Sequence, residues 1–328
     1  MPLDRQRLDR YGPDTSDYTV AIITDEDQGS QIEMDDGRIA WRSRLRYDRA
    51  RRRVDPATCR PHYTFEPVPE AEGGEHQLVS LVAEGGRGAE FSELVMFGNR
   101  LVAFDDRTGL VCEVREGHQL IPRQILMTGS GDEAFKGLKC EWATLKGDEM
   151  IVGSHGKVGL DAAGEPATGQ EEWVKRVQPG YRVLSENWHA AFEAMRRAAG
   201  IDARHGYLIH EAAEWHPERA QWLFFPRKVS TRPFDEPVDE RERGGNLLIT
   251  ADETFTDVRV REVGPRVPER GVSSIKIVPG HPDELIGLKS VEIGEETRTY
   301  AFAFDLDGTV LSDDVLLGHY KCEGVEFV

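Results

Sequence analysis

One short strand pattern recurs five times along this chain, and it constrains the fold more than any other feature. The copies are EFSELVMF, KCEWATL, IHEAAEW, VSSIKIV and KCEGVEF. Each carries one Ser or Glu near its start: Ser92, Glu141, Glu211, Ser273 and Glu323, at steps of 49, 70, 62 and 50 residues. A polar side chain at that point disturbs a plain buried strand once and has a purpose when it repeats. A period of about 50 residues with four short strands per unit is the size of a β-propeller blade. The stretch GRGAEFSELVMFGNRLVAFDDRTGLVCEV shows the unit directly, as strands Glu90–Phe97, Arg100–Phe104 and Leu110–Val114 joined at Gly98-Asn99 and at DDRTG.

The copies also align in their second strands, which end in DDRTG, GSHGK, PRKVS and LKS. The fifth copy has no second strand, because Val328 ends the chain five residues after Glu323. The N-terminal run YTVAIITDEDQ supplies the missing one, so both termini close the last blade and leave no sheet edge between first and last blades. The expected architecture is all-β, a five-bladed β-propeller over residues 18–328 with a central metal-binding tunnel. One helix is inserted in the 70-residue step, Ser185–Ala199, with Trp188, Phe192, Met195 and Ala199 on one face. Residues 1–17 read as a loose polar arm. Arg42–Arg53 reads as a solvated basic hairpin face.

The 33 glycines and 17 prolines suit many short strands and turns. A net charge of −18 repels nucleic acid and anionic membranes, so neither is an expected partner. It repels free nucleotides too, and any phosphate site therefore needs local positive charge. Cys59, Cys112, Cys140 and Cys322 match no zinc spacing and no disulfide framework, and read as free buried thiols. The first residues carry no apolar leader, and no run is long enough to span a bilayer. A soluble chain is the expectation, its location and oligomeric state left open.

Inner strands line the channel of a propeller, so the five recurring residues form a ring of oxygen side chains. Three carboxylates and two hydroxyls suit a hard cation, and calcium fits best. The plainer alternative for each residue is a hydrogen-bonded channel lining.

The ordered segments GRGAEFSEL, FDDRTG, KCEWATL, EWVKRV, GYLIHEAAEW, FFPRK, SSIKIVPG and YKCEGVEFV resemble the calcium-activated nucleotidase (apyrase) family, from about Tyr18 to Val328. The resemblance implies a five-bladed propeller that hydrolyses nucleoside di- and triphosphates with Ca2+ in its tunnel. It puts the calcium ligands on Ser92, Glu141, Glu211, Ser273 and Glu323, and acidic active-site positions on Asp25 and Asp106. Glu93 stands where the animal members carry Asp, and its longer side chain is expected to shift an outer carboxylate or a water near the substrate.

The expected mechanism is metal-assisted attack of water on a phosphoanhydride, with Asp25 and Asp106 as candidates to orient or deprotonate the water. Arg227 ends a second strand, so it is expected at the tunnel mouth on phosphate oxygens. Arg107, Lys157 and Lys289 occupy comparable positions. Trp41, Trp142 and Tyr207 are candidates to stack on a base, with core packing as the alternative. A UDP- or GDP-like nucleotide is the expected substrate. Three other readings compete. AFDLDGTV matches a haloacid-dehalogenase-type nucleophile motif, with Asp305 attacking phosphate and Asp307 as acid/base, but it is equally a hairpin turn. A sugar lactonase built on a calcium-centred propeller would share the ring. A calcium-pinned binding propeller would share it without catalysis.

Overall fold

The computed structural model describes residues 1–328 apart from 133, 135, 161, 162, 164 and 168. Four blades are four-stranded antiparallel meanders in chain order. The first is Phe91–Phe97, Arg100–Asp105, Leu110–Arg115 and Gln119–Ile125. The second is Trp142–Lys146, Glu149–Gly153, Trp173–Val177 and Val183–Asn187. The third is Tyr207–His216, Gln221–Ser230, Leu247–Asp252 and Val258–Glu262. The fourth is Gly271–Val278, His281–Ile293, Glu296–Asp305 and Val310–Gly318.

The fifth blade is closed by both ends of the chain. Cys322–Phe327 pairs antiparallel with Asp17–Thr24, with Val20 opposite Phe327 and Ile22 opposite Val325. Asp17–Thr24 then pairs with the long strand Ile39–Val54, which carries the outer strands of this blade. The innermost strands of neighbouring blades touch in a complete ring.

Five apolar clusters hold the blades together, one at each blade boundary. Leu94 and Phe91 meet Ile23 and Leu45 between the fifth and first blades. Phe104 meets Leu145 between the first and second, and Trp142 meets Phe224 between the second and third. Leu223 meets Ile275 between the third and fourth, and Ile286 meets Phe327 between the fourth and fifth. Each central blade is therefore covered on both faces. That is why its inner strands read as apolar runs rather than alternating ones, and why the ring polar residues stand out.

Several expectations are corrected. In place of a loose arm, Leu3–Leu8 form helix α1, in which Asp4, Arg7 and Leu8 are buried. The Asp4 amide donates to the Gly147 carbonyl at 3.0 Å. The inserted helix is shorter than expected: α2 is His189–Ala198, because Val183–Asn187 uses its backbone groups in the ladder with Trp173–Val177. Asn187 Oδ1 accepts the His189 amide at 2.8 Å. A third helix, α3 at Glu236–Glu242, was too short and polar to show a periodic apolar face.

The basic stretch is one strand, and its arginines find carboxylates within the chain. Arg42 and Arg44 hold Glu26, Arg52 holds Glu284, and the buried Arg46 holds Asp48. Asp305 is a hairpin residue. Its Oδ1 accepts the amides of Asp307 and Thr309, which makes the AFDLDGTV segment a turn between two strands of the fourth blade. Cys112, Cys140 and Cys322 are buried free thiols as expected, but Cys59 is exposed, because it sits in the turn between Ile39–Val54 and Pro61–Pro67 and not on a strand. Among the described residues no helix is long and apolar enough to cross a membrane.

Candidate active site at the tunnel mouth

A backbone irregularity presents the ring residues. In three blades the pairing of the inner strand skips one residue: Ser92 between Phe91 and Glu93, Glu211 between His210 and Ala212, and Ser273 between Val272 and Ser274. In the fifth blade it skips Glu323 between Cys322 and Gly324. Glu141 completes the set: its amide reaches the Gly153 carbonyl at 2.9 Å, while Trp142 also sits opposite Gly153. A bulge of this kind frees one residue from the ladder and re-aims its side chain.

The ring contacts across blades. Ser92 Oγ donates to Glu323 Oε2 at 2.9 Å, and Ser273 Oγ to the Cys322 carbonyl at 3.2 Å. Glu141, Glu211 and Glu323 lie close enough for each to feel another's charge. Burial pushes the Glu141 carboxyl up to about 8 against the pull of Lys139, with Glu211 adding to the rise. Burial also raises Glu211. Glu323 goes the other way, down to about 2: burial opposes ionisation, and Lys321, Arg227 and Lys139 together outweigh it.

Three cations bind these carboxylates. Lys139 Nζ lies 2.5 Å from Glu141 Oε1 and 2.7 Å from Asp106 Oδ2. Arg227 donates to Glu211, to Glu323 at 2.9 Å and to Glu292 at 2.8 Å. Lys321 donates to Asp25 Oδ2 at 2.7 Å and lies 3.2 Å from Glu323 Oε1. The donor set of the ring is all oxygen, three of the five donors are carboxylates, and cations already gather on them. A hard divalent cation fits that set, and zinc, which favours Cys and His, does not.

A cavity of about 600 Å³ opens above this constellation. Of the expected site residues, Asp106, Arg107, Glu141, Lys157, Glu211 and Arg227 line it, as does Glu323. Asp25 is buried beside it, its Oδ1 accepting the Asp27 amide at 2.8 Å, and burial holds its carboxyl well above the usual range. Ser92 and Ser273 are buried in the ring itself. Two expected residues are not brought to the cavity. Lys289 pairs with Asp314 at 2.7 Å and lies over the Phe302 ring. Glu93 is fully buried in the tunnel, 3.0 Å from Lys276 Nζ and accepting from Ser274 Oγ at 3.1 Å.

Lys276 belongs to a second polar layer three residues along the inner strands from the ring, which Glu93, next to Ser92, joins through this pair. There Thr144 Oγ1 donates to Glu214 Oε2 at 2.7 Å, and Arg7 from α1 pairs with Glu214 and with Glu326. The aromatic candidates also miss the cavity. Trp142 is core, Trp41 Nε1 donates to the Gly86 carbonyl, and the Tyr207 hydroxyl is spent on Asp239. Phe234 does line it, 46% exposed, with Lys157 Nζ 3.5 Å from its ring centre. A larger hollow of about 850 Å³ lies against α2, walled by Trp188, Trp222 and Phe255, and none of the expected residues borders it.

A sequence profile of the Apyrase family matches residues 27–328. The chain belongs to the apyrase family. It is 38% identical over 317 residues to soluble calcium-activated nucleotidase 1 of Rattus norvegicus, covering 95% of this chain and 74% of that one. It is 34% identical over 322 residues to apyrase apy-1 of Caenorhabditis elegans, covering 97% and 86%. The Cimex lectularius apyrase is 38% identical over 259 residues, covering 78% and 70%. The apyrase match includes strands of all five blades and begins after α1 and after the fifth-blade strand Asp17–Thr24.

Sequence reasoning missed Lys139 and Lys321, although a signal was present. Both stand two residues before a ring glutamate in the same tripeptide, Lys-Cys-Glu, at 139–141 and 321–323. Phe234 and the α3 carboxylates left no such mark, since they sit in an irregular excursion within the third blade.

Proposed function

We propose that this apyrase-family chain hydrolyses the phosphoanhydride bonds of nucleoside di- and triphosphates at the tunnel mouth, with calcium held by Ser92, Glu141, Glu211, Ser273 and Glu323. One observation carries the reading: Lys139, Arg227 and Lys321 converge on the ring carboxylates, Arg227 and Lys139 also facing the open cavity. Phosphoryl transfer needs positioning and charge neutralisation above all, and in a chain of net charge −18 the cations Arg87, Arg107, Lys139, Lys157, Arg227 and Lys321 line this mouth among its carboxylates. Bound calcium supplies two further positive charges for polyphosphate oxygens.

The chain's own groups do the rest. Arg227, Arg107 and Lys157 bind and orient phosphate oxygens. Asp106, which lines the cavity, orients and deprotonates the attacking water, and Asp25 holds Lys321 in place on the same cavity wall. Phe234 offers a stacking face for the base, and Glu236 and Glu240 border the same cavity. Ionised carboxylates only accept hydrogen bonds. They match the N–H edge of uracil or guanine and oppose the ring-nitrogen acceptor of adenine, so UDP and GDP are the favoured substrates.

The test is phosphate release from UDP, GDP, ADP and ATP with calcium, with magnesium alone and with chelator. Calcium-dependent release, faster from UDP and GDP than from ADP, is expected. Calcium binding without release from any nucleotide would overturn the reading.

A further inference from the structure

Beside the ring site, on the cavity wall, stands a second group of oxygen donors. Ligand atoms of Asp25, Asp27 and Glu90 all lie within 4.8 Å of one another. Asp27 and Glu90 line the cavity, as does Asp106. The Asp106 amide donates to the Glu90 carbonyl at 2.8 Å, which holds the two residues together. Asp106 Oδ2 is taken by Lys139, but its Oδ1 is buried with no hydrogen-bond partner, in a residue only 8% exposed. A desolvated carboxylate oxygen left without a partner is costly, and it marks the place where something positive or a donor is missing.

We propose that Asp25, Asp27 and Glu90, with Asp106 Oδ1, form a second divalent-cation site that fills when a nucleotide enters the cavity. The inference rests on the nucleotide reading of this cavity and adds to it a metal separate from the ring. No ring residue takes part. Asp25 and Asp27 follow the strand Asp17–Thr24, and Glu90 precedes Phe91–Phe97.

Charge explains the coupling to nucleotide. Arg87 donates to Glu90 at 2.6 and 2.7 Å and to Asp27 at 2.9 Å. Lys321 holds Asp25 at 2.7 Å and lies 3.4 Å from Asp27, while Lys139 holds Asp106. Arg87 and Lys321 thus already hold the three carboxylates, and Lys139 and Lys321 are shared with the ring glutamates Glu141 and Glu323. Arg87 and Lys321 both line the cavity, so a polyphosphate that enters it draws them onto its own oxygens and frees the carboxylates for a divalent ion. Ion and nucleotide therefore bind better together than apart. The all-oxygen set selects calcium, magnesium or manganese over zinc.

Equilibrium dialysis of the full chain with calcium tests this, with and without α,β-methylene-UDP, after subtracting calcium bound by the free analogue. One calcium per chain is expected without the analogue and two with it. Asp27→Asn should return the count to one with the analogue present, and Glu90→Gln should weaken the second calcium at least tenfold. The Asp27 side chain is 41% exposed, so its substitution leaves the core untouched. A count of one for the wild-type chain with the analogue, while the chain still releases phosphate from UDP, overturns this inference and leaves the nucleotide reading standing. A count of two in Asp27→Asn does the same. Failure to bind the analogue or release phosphate at any calcium concentration overturns both.

Discussion

Gly271 lies so close to Arg227 that a Cβ at position 271 would stand 2.3 Å from Arg227 Cγ and 3.0 Å from its carbonyl oxygen. The bare backbone at the start of the fourth blade's inner strand is what lets the Arg227 side chain reach Glu323 and Glu292. Gly271→Ala keeps every charge and displaces the guanidinium. It should lower kcat/KM at least tenfold, about 1.4 kcal/mol in transition-state binding. Steady-state kinetics on UDP check it, with circular dichroism to confirm the fold. An unchanged kcat/KM would show that Arg227 is not at the reacting phosphate.

The ring predicts a loss that calcium concentration partly conceals. Glu141→Gln and Glu211→Gln each remove one carboxylate from an all-oxygen site. Calcium affinity should fall at least tenfold in either, with little phosphate release left at limiting calcium. Calorimetric titration and phosphate assays across calcium concentrations measure both. Wild-type affinity in either variant would mean that the ring is a hydrogen-bonded lining.

Phe234 separates base recognition from chemistry. Base–aromatic stacking contributes about 1–3 kcal/mol. Phe234→Ala should therefore raise KM for UDP about fivefold or more and leave kcat nearly unchanged. Hydrolysis of inorganic tripolyphosphate, which has no base, should be unaffected. A parallel loss on tripolyphosphate would assign Phe234 to the phosphate end.

Arg7 is the counter-charge for Glu214 and Glu326 at the second polar layer, and all three side chains are almost wholly buried. Removing one partner of a buried ion pair costs about 3–5 kcal/mol. Arg7→Met should lower the free energy of unfolding by that order in urea. A change under about 0.5 kcal/mol, the range of an ordinary surface substitution, would mean that α1 is not seated on the tunnel.

Glu113 sets a pH dependence far from the site. Burial works against its ionisation, but hydrogen bonds from Arg123 at 2.6 Å and Tyr181 at 2.8 Å, with the charge of Arg100, bring its carboxyl down to about 2. A folded value below the unfolded one stabilises the protein fully above the unfolded value, about 4.3, and the gain is lost as pH falls from there towards 2. Glu113→Gln should destabilise the chain by about 1–3 kcal/mol near neutral pH and by much less near pH 2. Denaturation curves at both pH values check the difference. Equal losses would show that the charge of Glu113 plays no part.

Much of this was legible from spacing alone. The propeller, its blade count and its closure by both termini followed from five recurring polar positions and one missing strand. Those signals are local and repeat. The expected helix at 185–199 shrank at its start because ladder hydrogen bonds to Trp173–Val177 claimed residues 185–187, a long-range pairing that no local cap signal reports. Lys289 and Glu93 were carried by position in a strand or by comparison with relatives. Their real partners, Asp314 and Lys276, lie on strands that no spacing rule connects to them.

Sequence by itself determined the ring. Ser92, Glu141, Glu211, Ser273 and Glu323 recur at blade period, and covalent order fixes which blade each occupies. Tertiary structure alone decided what surrounds it. Arg7 comes from the first turn of the chain to meet Glu214. Lys321 meets Asp25 across almost the full length of the sequence, and Phe234 reaches the cavity from an excursion. Such contacts arise where separate blades converge on one axis, and electrostatics across that gap depends on distance in space, which the order of residues does not encode.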